Sequence, residues 1–254
     1  MSVSQLILLV VLFLITSVIG VVTGSNSLIT VPVMFQFGID EKVAVATNMF
    51  GLVFMSVGAT IPFIRQGSIQ YKKVSPLIIL TIVGSALGAM LVGLITNHGL
   101  KLIVSIAMIV VALFTLVKRN KAGAANNALP RRAFVITYIL TFLLAIYGGL
   151  YSGGYVTILT AVFVAFFGMS FGEAVASTKL VNIFSSSAAT AVFMWQGLID
   201  YKLGIILGVT MFIGAYAGAH YATKMNDLWL RRLFLATVFL LAIKTLYDLS
   251  GALA

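Results

Sequence analysis

The sequence predicts an all-α, polytopic membrane protein made of two inverted repeats, each with about four long helices and one short broken helix. Three observations carry that prediction. Of the 254 residues, 61% are hydrophobic and only 9% charged, and mean hydropathy is +1.14. Soluble domains are about 45–50% apolar and about 25% charged, and disordered chains lie further still in the polar direction. Apolar runs recur near the ~20 residues that cross ~30 Å of hydrocarbon as a helix. Finally, one half of the chain matches the other in a single register.

Taken in order, long apolar stretches occupy about 3–22, 42–64, 74–96, 100–117, 133–152, 172–195, 203–223 and 229–247. The first lacks the Lys or Arg that precedes a signal-peptide core, so it is read as a retained membrane segment. Two shorter stretches, about 26–37 and 155–168, follow the first and fifth. A helix of about 12 residues rises only ~18 Å, too little to span alone. The most polar segment, 118–132, carries five basic residues and no acidic one. The expected organisation is a first transmembrane repeat over 1–120, a cytoplasmic linker over 121–132 and a second repeat over 133–254.

The repeat has a constant offset of 130 residues. Gln66-Gly67-Ser68-Ile69-Gln70-Tyr71-Lys72 matches Gln196-Gly197-Leu198-Ile199-Asp200-Tyr201-Lys202, and Ala44-Val45-Ala46 matches Ala174-Val175-Ala176. Gly84 and Gly88-Ala89 match Gly214 and Gly218-Ala219, while Gly24, Thr30 and Gly38 match Gly154, Thr160 and Gly168. Chance supplies one such match between apolar segments; an ordered, gapless set indicates duplication.

Net charge is +10, from 16 Lys and Arg against 6 Asp and Glu. The cations sit mainly between apolar runs, as cytoplasmic anchors do, so nucleic acid is not expected as a partner. Arg65, Lys72 and Lys73 mark 64–73 as cytoplasmic, like the linker, with 97–101 outside. The matching loop at 195–203 is neutral, whereas 224–232 is basic. Corresponding loops therefore lie on opposite sides, which makes the repeats inverted. Each short segment then pairs with the helix before it and returns to the side where that helix began, leaving both termini outside. With no cysteine, disulfides, thiolate metal sites and cysteine nucleophiles are impossible.

Inverted repeats with interrupted helices are a common plan for secondary transporters, with substrate bound near the midplane. The interruptions are Thr23-Gly24-Ser25-Asn26-Ser27 and Gly148-Gly149-Leu150-Tyr151-Ser152-Gly153-Gly154-Tyr155. Glycine lets the backbone turn, and each following short helix begins with unpaired N–H groups and a positive dipole end.

The duplicated glycine-rich breaks, the stretches Ala-Val-Ala-Thr-Asn and Ala-Val-Ala-Ser-Thr-Lys, and the paired Gln-Gly-x-Ile-x-Tyr-Lys resemble the TauE/SafE family over essentially the whole chain. These are exporters of sulfite and organosulfur anions. The resemblance implies export or exchange of a small sulfur-containing anion such as sulfite, thiosulfate or an organosulfonate like sulfoacetate, across the plasma membrane.

Lys179 is the most informative single residue. It lies within an apolar segment, where an ionisable group is costly and marks function by default. The acidic residues all fall near segment ends, so no buried carboxylate partner is evident. A cation without a carboxylate suits an anion; the competing reading is that Lys179 snorkels to the interface. Thr47 and Asn48 hold the equivalent region of the first half, beside Ser177 and Thr178 in the register. An oxyanion needs several N–H and O–H donors converging from different helices. The candidates are Gly24, Ser25, Asn26, Thr47, Asn48, Gly153, Gly154, Tyr155, Ser177, Thr178, Lys179 and Asn182. Packing between helices is the alternative role for the hydroxyls.

Gly84-x-x-x-Gly88, Gly204-x-x-x-Gly208 and Gly214-x-x-x-Gly218 are assigned to close helix approach. His220, near a segment end, is read as interfacial. No phosphate loop, His-Glu-x-x-His motif or carboxylate pair at depth is present, so neither an ATP-driven pump nor an enzyme is expected, and no cofactor or metal. The function read from the sequence is a secondary transporter exporting a small sulfur oxyanion by alternating access. A passive anion channel is the alternative. The partners are the anion and membrane lipid, with self-association left open.

Overall fold

Four of the described helices begin where the sequence supplies a side-chain cap. The computed structural model describes residues 2–24, 26–104 and 131–226, with the separate positions 106, 110, 228–230 and 232. Its helices are α1 (Val3–Thr23), α2 (Ser27–Gln36), α3 (Glu41–Gln66), α4 (Tyr71–Leu94), α5 (Arg131–Leu150), α6 (Tyr155–Phe166), α7 (Phe171–Trp195) and α8 (Tyr201–Ala222); residues 97–104 are also helical. No strand occurs among the described residues. Most of the stretches at 100–117 and 229–247, and nearly all of the 121–132 linker, lie outside them.

Ser2 and Ser170 open α1 and α7 with capping boxes, closed by Gln5 and Glu173. The Asp40 carboxylate accepts from the N–H groups of Lys42 and Val43 to start α3, and the Asp200 carboxylate accepts from Leu203 to start α8. Such a cap satisfies N–H groups that the first helical turn leaves free. The six glycines with positive φ fall into pairs 130 residues apart: Gly24 with Gly154, Gly38 with Gly168, Gly67 with Gly197. The long, short, long, long order of α1–α4 recurs in α5–α8 at the same offset.

Five of the six long helices are long and apolar enough to cross a bilayer. The sixth, α7, has 25 residues but carries Glu173, Lys179, Asn182 and three consecutive serines at 185–187. It is tolerated because its polar face is turned inward: Ser177, Thr178, Lys179, Asn182, Ser185 and Ser186 are all buried. Lipid-facing surface comes from the exposed Leu, Ile and Val of α1, α4, α5 and α8.

Contacts between helices fix their directions. Gly204 meets Phe50 and Thr47, Gly208 meets Phe54, and Gly58 meets Phe212, so α3 and α8 run side by side in the same sense. At their far ends the Gln66 amide donates to the Thr223 carbonyl. Likewise α7 follows α4, from Gln70 bonded to Ser177 at one end to Gln196 beside Ala89 at the other. Because α4 returns from the end that α3 reaches, α3 and α7 run in opposite senses. They cross where the Asn182 amide donates to Ser56 Oγ at 2.7 Å.

The short helices turn back. Phe167, just past α6, packs its ring against Phe134 and Tyr138 near the start of α5, so the α5–α6 pair begins and ends at one end of the bundle. That end gathers Arg65, Lys72, Lys73, Arg132 and Lys224 against Glu173. The other gathers Lys42, Lys101 and Lys202 against Asp40, Glu41 and Asp200, with Lys101 and Glu41 paired at 3.7 Å.

Small residues let the outer helices approach. A Cβ on Gly88 would sit 1.9 Å from the Ile146 carbonyl oxygen, and one on Gly149 2.0 Å from that of Ser85. A Cβ on Gly218 would lie 2.3 Å from the Val18 carbonyl oxygen. These obstacles are backbone atoms of a packed neighbour and cannot swing aside. Gly88→Ala should force α4 and α5 apart and destabilise the protein by roughly 1–3 kcal/mol, the usual cost of overpacking. Thermal unfolding in detergent would show this as a lower midpoint than wild type.

Candidate functional site

Two helix breaks meet in the interior. Gly24 closes α1 with φ of 68° and Gly154 opens α6 with φ of 79°, left-handed conformations that any Cβ would strain. They touch: a Cβ on Gly24 would lie 2.7 Å from the Thr157 backbone nitrogen. The second break donates hydrogen bonds to carbonyls on both sides of the first. Thr157 Oγ1 donates to the Thr23 carbonyl at 2.7 Å, and Tyr151 OH donates to the Ser27 carbonyl at 2.9 Å. Ser27 Oγ and Ser152 Oγ share a hydrogen bond of 2.7 Å across the seam.

Beside this seam lies a cavity lined by Gly20, Gly24, Asn26, Ser27, Leu52, Met55, Ser56, Ser152, Val156, Lys179 and Asn182. The volume open to the centre of a water-sized sphere is about 20 Å³. One water needs ~10–15 Å³ on that measure, so the cavity holds a water and is too small for a polyatomic anion until its walls move. Met55 is the yielding wall, because its thioether side chain has three rotatable bonds.

Lys179 is only 3% exposed. Its ammonium donates to the Gly20 carbonyl at 3.0 Å, and among the described residues no carboxylate pairs with it. The Gly20 carbonyl also accepts from the Gly24 N–H at 2.9 Å, so Lys179 rests on the negative dipole end of α1. That contact orients the cation without neutralising it, and two of its three N–H donors remain for a ligand. It does not snorkel: its head group lies inside the bundle, against another helix.

The expected site residues divide into four groups. Gly24, Asn26, Lys179 and Asn182 line the cavity. Asn48 stands one bond behind it, its amide donating to Ser27 Oγ at 2.8 Å and its carbonyl accepting from Thr30 at 2.9 Å. Thr178 is held by Thr160 and the Val175 carbonyl in the matching place of the second half. Gly153, Gly154 and Tyr155 shape the second break without lining the cavity: Gly153 O accepts from Tyr147 OH, and the Tyr155 ring covers Gly148.

Thr47 and Ser177 face away from the cavity. Thr47 Oγ1 accepts from the Asp200 N–H at 3.0 Å and Ser177 Oγ from the Gln70 N–H at 3.3 Å, so each fastens a turn in the other half, Thr47 the one that opens α8 and Ser177 the one that opens α4. Ser25 lies outside the described residues. His220 is exposed at the end of α8.

Gly20, Ser27, Leu52, Met55, Ser56, Ser152 and Val156 line the cavity without being among the expected site residues. Helical spacing could have found three of them, since 48, 52, 55 and 56 share one face of α3. Ser152 and Val156 come from the opposing break and give no such signal.

A family model described as "Sulfite exporter TauE/SafE" matches residues 8–245. The chain is 30% identical to the "Probable membrane transporter protein ORF9" of a Sinorhizobium species, over 89% of this chain and 87% of that one. It is 26% identical to the "Probable membrane transporter protein YfcA" of Escherichia coli K12, over 96% and 92%. A "Probable membrane transporter protein" of Haemophilus influenzae is 24% identical over 95% of each chain. No solved structure matches.

Gly24→Ala should separate the two breaks. It combines positive-φ strain, ~1 kcal/mol or more, with a clash against backbone, and the variant should unfold at lower temperature than Gly38→Ala. At Gly38, φ is also positive, but no atom lies within 4 Å of the added Cβ. Equal midpoints for the two variants would show that the breaks are not in tight contact.

Proposed function

The chain belongs to the sulfite exporter TauE/SafE family, and from that premise we propose that it is a secondary transporter carrying a small oxyanion, sulfur-centred in the family's manner, out of the cell. The observation that carries this reading is Lys179: a buried ammonium at the meeting of two helix breaks, held among the described residues by a backbone carbonyl alone. An anion entering the cavity brings the missing counter-charge. Hydroxyls of Ser56 and Ser152 and the amide of Asn182 line the same space, and such convergent donors replace an oxyanion's hydration shell. The names of all three relatives above and the family description speak of transport or export by those proteins, which is consistent with a non-enzymatic role here.

The mechanism proposed is alternating access. The site lies between two halves of matching design, and the cavity has room for the anion only when those halves shift. The same tightness favours a carrier over an open anion channel. The halves are taken to be inverted in the membrane, with the strongly basic end of the bundle in the cytoplasm by the positive-inside rule. An inside-negative potential then drives a monovalent anion outward with ~2.3 kcal/mol per 100 mV, enough for export without a coupling ion.

Two experiments test this. Lys179→Gln should weaken sulfite binding by roughly 10–100-fold, the value of a charge-assisted hydrogen bond of about 1.5–3 kcal/mol; unchanged affinity by calorimetry would remove Lys179 as counter-charge. For orientation, the chain's lack of cysteine makes single-cysteine labelling direct. Lys72→Cys should react with an impermeant maleimide only from the cytoplasmic side, and Lys202→Cys, its match in the repeat, only from outside. Labelling of both from one side would refute the inversion.

A further inference from the structure

One polar residue of the cavity wall differs in kind from its neighbours. The Asn26 side-chain nitrogen donates to Ser17 Oγ at 3.2 Å and to Met55 Sδ at 3.1 Å. A thioether sulfur accepts but never donates, so this contact fixes which end of the amide is nitrogen. The other end, Asn26 Oδ1, is then left buried without a partner among the described residues, on a side chain only 3% exposed. A buried acceptor in that condition is costly, and in a cavity wall its natural partner is the occupant of the cavity. Asn26 and Lys179 flank the same residue. A Cβ on Gly20 would lie 3.1 Å from Asn26 Cβ, and the Gly20 carbonyl holds the Lys179 ammonium.

We infer that the cavity is built for a monoanion that keeps one hydrogen-bond donor, with its X–O–H group facing Asn26 Oδ1 and its charged oxygens facing Lys179. The inference rests on the anion reading above and narrows it. Among the described residues Lys179 is the single cation that lines the cavity and no carboxylate does; one negative charge balances it, whereas a dianion would leave a net buried charge. A ligand without a donor would leave Asn26 Oδ1 unmet in a site now closed to water. Among sulfur oxyanions the description fits hydrogensulfite and disfavours sulfite and sulfate dianions. A sulfonate fits where its carbon chain carries a hydroxyl or ammonium close to the head group.

Nitrate and hydrogencarbonate provide the test. Both are planar, singly charged and built of three oxygens about one centre, and they differ in one O–H. Calorimetric titration of the purified full chain in detergent, at mildly alkaline pH, should give hydrogencarbonate about tenfold tighter binding than nitrate. That is the selectivity expected from one hydrogen bond to a buried acceptor. In Asn26→Leu the ratio should fall to about one. A wild-type ratio of one or below, with binding of both anions lost in Lys179→Gln, would overturn the donor requirement while leaving the anion site standing. A tenfold preference that persists in Asn26→Leu would also overturn it. Binding of neither anion by a wild-type protein that still binds sulfite would overturn this inference alone; absence of sulfite binding as well would remove the anion reading with it. If Asn26→Leu fails to fold, the wild-type ratio alone decides.

Discussion

Backbone polar groups released inside a membrane bundle have no water to turn to, and the rest of this structure depends on how that constraint is met. Each break frees carbonyl and N–H groups at depth. The two breaks meet that need together: Thr157 and Tyr151 from the second half donate to carbonyls at Thr23 and Ser27 of the first. Neither break would be tolerable facing lipid, so duplication and pairing of the halves belong to one solution. The cavity is a by-product of that pairing, since two chain reversals set side by side cannot fill space as two continuous helices do.

On this shared framework the halves have diverged in chemistry. Lys179 corresponds in the register to Met49, Asn182 to Leu52, and Asn26 to Val156. The backbone is duplicated, while the ammonium and most amide groups occur once. A site at a symmetric junction therefore has a sidedness of its own, with a polar wall from α7 and the first break and an apolar wall from Leu52, Met55 and Val156. Such a surface can fix the orientation of an asymmetric ligand.

Much of the fold was legible because its determinants are local. Caps such as Ser170 with Glu173, the turning glycines and the hydropathy of each run all lie within a few residues of the boundary they set, and the 130-residue register carries them from one half to the other. Lys179 was legible for the opposite reason, as a violation of its surroundings. The cavity lining was only half legible. Thr47 and Ser177 were grouped with Asn48 and Thr178 because they adjoin them in the chain, but adjacent residues on a helix point about 100° apart and do not share a face. Ser152 and Val156 reach the cavity from the opposing break, and nothing near them in sequence records that approach.

Thr47 and Ser177 have a further consequence. Each hydroxyl accepts one backbone N–H from the opposite half, Thr47 at one end of the bundle and Ser177 at the other, with lengths of 3.0 and 3.3 Å. In the proposed rocking, each mouth thus carries a fastening of the same type, beside bonds such as Gln66 to Thr223 at one end and Gln196 to Ala89 at the other. Releasing either hydroxyl costs on the order of 1 kcal/mol. Fastenings of one kind at both mouths leave a share in the choice of which opens to whatever lies in the middle.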